Sequence, residues 1–139
     1  MAIYRAHVKV FSRGKGSSSI AVAACRAGLC LRDERTGLWH DYRRRGGVEV
    51  TKCIAPEGSP EWSVIPAQLW VAVEQAERRK DATVAREFEI AMPNELSCGQ
   101  REALAWEIAE ILVSRYKFAA QASLHAPDFE GILSWHLHI

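Results

Sequence analysis

Residues 123–139 read SLHAPDFEGILSWHLHI, and this stretch decides how the fold is built. The pattern predicts a strand at 117–126, a turn at PDFEG and a last strand at 132–139. Side chains two apart on a strand share a face, so His136 and His138 lie side by side while Leu137 points into the core. If the two strands pair as a hairpin, His125 comes opposite them. That pairing requires a long or irregular connection, because the first strand ends just before the turn.

Three neutral imidazoles on one face of a sheet form a site for a divalent metal, with open positions for a further ligand. An isolated pair of histidines flanking one residue is more often an exposed surface feature. The third histidine, in the neighbouring strand, favours the metal site. Both interpretations stay open on the residues alone.

Outside this stretch the hydrophobic pattern predicts further strands and helices. Alternating residues predict strands at 2–11, 48–55 and 83–93. Alanine-rich or helically spaced residues predict helices at 20–31, 66–80 and 94–116, the last with an apolar stripe of Leu104, Ile108, Ile111 and Leu112. The polar segment 32–47 is expected to be a long loop or an irregular hairpin. The order predicts an α+β fold, with a mostly antiparallel sheet of about five strands flanked by helices.

Composition limits the class of protein. The chain has 139 residues, enough for one domain, and 48% are hydrophobic. No apolar run approaches the ~20 residues of a membrane span, and the alternating N-terminus is unlike a secretory signal, so we expect a cytoplasmic protein. The four cysteines lack the spacing of a zinc site and are expected to be reduced thiols: Cys25, Cys30, Cys53 and Cys98.

The net charge of +1 conceals local basic clusters at 43–45 and 78–80. Such clusters are compatible with binding to nucleic acid, although an arginine run in a loop is usually solvated surface. Trp39, His40 and Tyr42 lie beside the first cluster, where aromatic rings could stack on unpaired bases.

Several stretches resemble the MobA/MobL-type mobilisation relaxases of plasmids, which belong to the HUH endonucleases. They are MAIY (1–4), SIAVAACRAG (19–28), ERTGLWHDYRRRGGVE (34–49), LWVAVEQAERRKDATVAREFEIAMPNEL (69–96) and the closing HLHI. The resemblance covers essentially the whole chain, which it identifies as one relaxase domain, 1–139. It implies an HUH relaxase-like fold and a DNA-nicking activity at a plasmid transfer origin. The partners it implies are single-stranded origin DNA and accessory mobilisation proteins, with no small-molecule cofactor.

The resemblance also implies site residues. It assigns His125, His136 and His138 as ligands of magnesium or manganese, which polarises the scissile phosphate. Glu87 and Glu89 lie in the matching strand, and one of them is expected to orient a histidine or the metal; alternatively, both are solvated strand residues. The candidate phosphate contacts are basic: Arg13, Lys15, Arg26, Arg43, Arg44 and Arg45.

The chain departs from the family at the nucleophile. The family's tyrosine stands in a helix motif resembling AAAAYRAG, whereas this chain reads AVAACRAG and places Cys25 there. A thiolate is a good nucleophile, but its side chain is shorter, and small misplacements are costly in rate. We therefore expect impaired cleavage. One alternative is that Cys25 is only a packed thiol, and another is that Tyr42 serves as a substitute nucleophile. The protein could also be a nuclease that activates water, or a DNA-binding remnant or regulator that does not cleave.

The second departure is the C-terminus. Family relaxase domains continue past the histidine pair, so the resemblance predicts that the domain is incomplete at Ile139. A terminal strand frays unless it is centrally paired, and the metal site would then be poorly held.

Overall fold

A computed structural model describes residues 5–127 and 133–139. Part of the predicted turn PDFEG and the first residues of the chain, including Tyr4, lie outside these ranges. Within them the strands are β1 (Ala6–Ser12), β2 (Cys30–Arg32), β3 (Trp39–Asp41), β4 (Val48–Ile54), β5 (Thr83–Ala91), β6 (Ala120–His125) and β7 (His136–His138). The α-helices are α1 (Ser19–Ala27), α2 (Pro66–Ala76) and α3 (Cys98–Tyr116), and short 3-10 helices cover Arg13–Lys15 and Glu61–Val64.

The main sheet of the described chain has five strands in the order β1-β5-β7-β6-β4, and every neighbouring pair is antiparallel. The predicted α+β fold is therefore confirmed. The histidine strand β7 occupies the centre of the sheet. Beyond it Ile139 exchanges backbone hydrogen bonds with Phe88, at 2.8 and 2.9 Å. The condition for fraying, an unpaired edge, is thus not met at β7.

One face of the sheet is apolar and is covered by α3. The small residues Ala105 and Ala109 let this helix approach Leu124 and Leu137, which are fully buried. Three residues of the predicted stripe, Leu104, Ile108 and Leu112, pack against this core, whereas Ile111 is 57% exposed. Ala105 and Ala109 are the fully buried residues of the same helix face.

The other face of the sheet is covered by α1 and α2. Ser18 caps α1 by accepting a hydrogen bond from the backbone of Ala21. The helix ends at Ala27, not at residue 31 as predicted, because Gly28 adopts a left-handed conformation (φ +64°). That turn starts β2, which is why the chain can leave the helix so early.

The segment predicted as a loop or irregular hairpin contains the two-stranded sheet of β2 and β3. Asp33 fastens it to the rest of the protein. Its carboxylate is buried and accepts hydrogen bonds from the backbone of Arg35 and Thr36 and from the hydroxyl of Ser18. The hairpin is thereby tied to the first turn of α1. Among the described residues, no helix is long and apolar enough to cross a membrane.

Candidate active site

The three histidines that the sequence singles out meet on the α1 face of the sheet. The antiparallel register places His125 opposite His136, and Ser123 opposite His138. The three ring centroids are 4.5 to 5.2 Å apart, and one ligand nitrogen from each ring lies within 4.8 Å of the others. All three residues are 4% exposed. Leu137, between two of them, is turned into the opposite, apolar core.

Hydrogen bonds to backbone carbonyls fix the tautomers of two rings. His125 donates its Nε2–H to the carbonyl of Arg26 at 2.6 Å, which leaves Nδ1 with a free lone pair. His136 donates Nδ1–H to the carbonyl of Ser134 at 3.1 Å, which leaves Nε2 free. Each ring therefore keeps one nitrogen that these carbonyls do not engage, and metal ligation uses such a nitrogen.

The third ring faces a carboxylate. Nδ1 of His138 is buried and has no hydrogen-bond partner among the described residues, although it lies 3.4 Å from the carboxylate of Glu87. Glu89 is farther away, at 3.9 Å, and is bound by Lys9 at 2.5 Å. Of the two candidate carboxylates, Glu87 is thus the one directed at a histidine.

Burial sets the charges of this cluster. Removal from water lowers the pKa of His125 to about 4 and also lowers the pKa of His138, so both rings are neutral near pH 7. Burial alone would raise the pKa of Glu87, but the close contact with His138 and the two hydrogen bonds from Arg26 outweigh it and bring that pKa to about 2. Two neutral imidazoles, those of His125 and His138, and one ionised carboxylate, that of Glu87, therefore lie together in this cluster.

This donor set fits a divalent cation. Nitrogens of the three buried imidazoles converge, and the ionised carboxylate of Glu87 lies 3.4 Å from Nδ1 of His138, which has no hydrogen-bond partner among the described residues. Carboxylates in that outer position orient ligating histidines in metal sites. His125, His136 and His138 are the residues that could hold the ion.

Helix α1 brings position 25 and its neighbour to the same face. Arg26 binds the Glu87 carboxylate with two nitrogens, at 2.7 and 3.1 Å, and its carbonyl accepts from His125. Cys25 is half-buried, and its Sγ lies 2.7 Å from the guanidinium of Arg45. In contrast, burial raises the pKa of the Cys53 thiol to about 11, as expected for an inert core cysteine.

Tyr42, the substitute considered for the nucleophile, packs against the apolar cluster around Ile20 and Leu31. Its ring is therefore part of the core beneath the hairpin.

The basic residues expected at DNA fall into different environments. The guanidinium of Arg13 binds the buried carboxylate of Glu74 and the carbonyl of Glu77. Arg26 is likewise committed to Glu87, and Arg43 is paired with Asp41 at 2.7 Å. Lys15 and Arg44 are exposed and make no ion pair with any residue in 5–127 or 133–139.

Sequence reasoning missed two contacts of the site. Lys9 lies opposite Glu87 in the β1–β5 pairing and binds Glu89. The sequence predicts this contact only once the pairing register of β1 with β5 is known, and these strands are far apart in the chain. The contact of Arg45 with Cys25 was missed for the same reason, since the two residues are far apart in sequence.

The chain is similar to known proteins over most of its length. The sequence profile of the MobA/MobL family matches residues 17–139. "Mobilization protein MobL" of Acidithiobacillus ferridurans is 46% identical over 127 residues, which are 91% of this chain and 33% of that protein. "Probable mobilization protein MobA" of Bifidobacterium longum is 36% identical over 126 residues, 90% of this chain and 22% of that protein.

A more distant relative is "Conjugal transfer protein TraA" of Rhizobium radiobacter, 35% identical over 120 residues, 79% of this chain and 11% of that protein. A solved structure titled "Molecular Basis of Vancomycin Resistance Transfer in Staphylococcus aureus" superposes with a TM-score of 0.90 at 26% identity. It is matched over 99% of this chain and 68% of its own. The chain spans a third or less of the length of these three relatives.

Proposed function

Because the chain belongs to the MobA/MobL family, we propose that residues 1–139 are the DNA-nicking domain of a mobilisation relaxase. It would cut one strand of DNA at a plasmid transfer origin and join the new 5′ end to a protein side chain. The observation that carries the proposal is the cluster of three buried imidazoles with converging nitrogens, facing the helix that bears position 25. Its DNA substrate would place the protein in the bacterial cytoplasm.

The histidines would hold the metal, and their neighbours would hold the histidines. A magnesium or manganese ion bound by His125, His136 and His138 would supply Lewis-acid polarisation of the scissile phosphate. Glu87 orients His138, and Arg26 keeps Glu87 ionised while its carbonyl orients His125. Arg26 thereby links α1 to β5, which carries Glu87, and to β6, which carries His125.

Cys25 would be the attacking group. The thiol loses its proton, its sulfur forms a bond to phosphorus, and the bond from phosphorus to the 3′ oxygen breaks. The released 3′ oxygen takes up a proton, so the strand ends in a 3′-hydroxyl. Arg45 would hold the sulfur in place, since its guanidinium lies 2.7 Å from Sγ. The thiol is nevertheless shorter than a tyrosine, so we expect slow cleavage.

The DNA strand would approach through the segment that follows β3. Arg44 and Lys15 are exposed and free to contact phosphates. Arg45 belongs to this segment and also contacts Cys25. The indole of Trp39 is 66% exposed at the edge of the hairpin and is suited to stacking on an unpaired base. Phosphate contacts would make the affinity depend strongly on salt. Accessory mobilisation proteins remain part of the proposal, with no residue assigned to them.

The second candidate is a protein that binds origin DNA without cleaving it. The observation in its favour is the cysteine at the nucleophile position in a site whose other groups are all in place. A third, a nuclease that activates water, differs from both because it would release free ends and leave no adduct.

The test is a search for a covalent adduct. The protein is incubated with manganese and labelled single-stranded DNA spanning the region upstream of its gene, then run on a denaturing gel. Native protein, Cys25→Tyr and Cys98→Ser are compared, the last because Cys98 is an exposed thiol away from the site. We expect a weak adduct with native protein and Cys98→Ser, and a stronger one with Cys25→Tyr.

The other outcomes separate the candidates. An adduct with Cys25→Tyr alone supports a relaxase site that has lost its nucleophile. If native protein and Cys25→Tyr both bind DNA but neither forms an adduct nor cleaves it, the non-cleaving alternative is supported. Cleaved DNA with free ends supports the water-activating nuclease.

A further inference from the structure

The strand that carries two of the three histidines is the shortest in the main sheet of the described chain, with three residues. On its N-terminal side it is anchored through Trp135. The carbonyl of Trp135 accepts a hydrogen bond from the backbone of Met92 at 2.7 Å. Its own backbone N–H donates to the side-chain oxygen of Asn94 at 3.2 Å. The position of Trp135 therefore sets where β7 begins.

The indole of Trp135 is held from the apolar side of the sheet. The guanidinium carbon of Arg101 lies 3.9 Å from the centroid of the indole, which is a close cation–π contact. The same guanidinium donates to the carbonyl of Leu96 at 2.5 Å and, at 3.4 Å, to that of Asn94. Asn94, Arg101 and Trp135 form one connected unit, which we call the Trp135 clamp.

Arg101 occupies an unfavourable place for a cation. It lies near the N-terminus of α3, where the helix dipole disfavours positive charge, and it is only 5% exposed. Its Nε is buried without a hydrogen-bond partner among the described residues. Helix capping does not explain the residue, because Ser97 and Gln100 already form the capping box. The contacts with the indole and the two carbonyls are what offset the cost of burying this charge.

The clamp bears on His136, the next residue in the chain. Consecutive strand residues point to opposite faces, so Trp135 faces α3 while His136 faces the metal centre. The ring of His136 is oriented by the carbonyl of Ser134, just before Trp135. A displaced indole would shift this segment and turn the imidazole away from His125 and His138. Metal ligands tolerate misplacement of only about 0.5 Å.

We infer that Arg101 is a positioning residue for His136: by holding Trp135 on the far face of the sheet, it aligns that imidazole for metal binding. The inference rests on the metal centre proposed above and deepens it. Arg101 acts from the apolar side of the sheet, whereas Glu87 and Arg26 act on the other two histidines from the same side as the rings.

Manganese binding, measured by calorimetry on the whole chain, tests the inference. Arg101→Met removes the guanidinium but keeps the length, and we expect the affinity to fall about tenfold or more, as for other outer residues of metal sites. Arg101→Lys keeps the charge without the planar group and should restore only part of the affinity. Trp135→Phe is the second variant if Arg101→Met does not fold, and it too should weaken binding.

The matched control is Lys52→Met. Lys52 makes a cation–π contact with Trp106 of α3 on the same face, at 5.7 Å, but it lies on β4, which does not pair with β7. We expect its manganese affinity to stay within about twofold of native, because separated sites act independently. An equal loss in Lys52→Met and Arg101→Met would overturn the inference, as would native affinity in a folded Arg101→Met.

A second readout needs no metal. In metal-free protein, the imidazole Cε1–H resonance of His136 should move in Arg101→Met, while that of His125 stays in place and Lys52→Met moves neither. If native protein binds no manganese, the proposed metal centre fails, yet these resonances still decide whether Arg101 positions His136. An unmoved His136 resonance would refute that role.

Discussion

Strand β6 is buried along its whole length, yet one of its faces is apolar and the other is polar. Toward α3 it presents Ala120, Ala122 and Leu124 to an apolar core. Toward α1 and α2 it presents Gln121, Ser123 and His125, which are polar and equally inaccessible. Burial by itself therefore does not mark the stabilising residues. The chemistry of the buried face separates the apolar face that stabilises the fold from the polar face on which we propose the metal site.

The polar groups of this face can be buried because they form hydrogen bonds with other groups of the protein. Gln121 accepts from the indole N–H of Trp70 and donates to the carbonyl of Ala23, both at 2.9 Å. Ser123 shares a hydrogen bond with Thr51 at 2.9 Å. The unpartnered nitrogen of His138 is the exception on this face, and it lies in the histidine cluster. The two faces should thus respond differently to substitution, even at adjacent positions of one strand.

The largest effect is expected from His136→Ala, on the polar face. Removing one of three ligands should lower manganese affinity by more than about 100-fold, because even outer residues of such sites are worth about 10–100-fold. Calorimetric titration measures this, and removal of metal with EDTA should abolish any DNA adduct in the native protein. Manganese binding at native affinity by His136→Ala would show that the histidines are not the ligands.

Leu137→Ala, at the neighbouring position on the apolar face, should have the opposite effect: it should lower stability and leave metal binding near native. Leu137 is fully buried, and such truncations cost about 2–5 kcal/mol of unfolding free energy. Urea unfolding at neutral pH measures this loss. At a temperature where the variant is still folded, we expect manganese affinity to stay near native. A loss of metal binding without a loss of stability would contradict the division between the two faces.

The apolar face and the order of strands and helices along the chain were largely predictable from the sequence, because alternation and helical spacing report local geometry. The histidine face was predictable as a shared face, since the side chains at 136 and 138 are two apart. The partners of that face were not. The salt bridge of Arg26 with Glu87 and the contact of Arg45 with Cys25 depend on how α1 crosses the sheet, which no local pattern encodes. The contact of Arg13 with Glu74 was hidden for the same reason, since Glu74 lies on another helix.

Glu74 sharpens the comparison, because it is a buried polar group on the α1 side with a purely structural role. Burial would raise its pKa, but hydrogen bonds from Ser19 and Arg13 outweigh this and hold the pKa below the ordinary 4.5. Since the folded state favours the ionised form, the resulting stability is complete above pH 4.5 and is lost as the pH falls through the folded pKa.

Urea unfolding across the acid range tests this assignment. Glu74→Gln should be less stable than native at neutral pH, and its stability should fall less steeply as acid is added. Asp33, whose pKa is also lowered, supplies a residual dependence in both proteins, because hydrogen bonds from Ser18 and the hairpin backbone outweigh its burial. Parallel acid profiles for native and Glu74→Gln would remove Glu74 as a source of acid sensitivity.

The smallest expected effect extends the comparison to the surface, where two neighbouring arginines differ only in their partners. Arg43 is held by Asp41 through two nitrogens, at 2.9 and 2.7 Å, whereas Arg44 is exposed and makes no ion pair with the described residues. If phosphates bind here, Arg44→Ala should reduce the slope of log affinity against log salt by about 1. Arg43→Ala should reduce it less, because releasing Asp41 offsets part of any phosphate contact. Fluorescence anisotropy with labelled single-stranded DNA at several salt concentrations measures both slopes. Equal slopes in native protein and Arg44→Ala would place the DNA on another surface, and a larger change in Arg43→Ala would mean that Asp41 yields its partner to the phosphate.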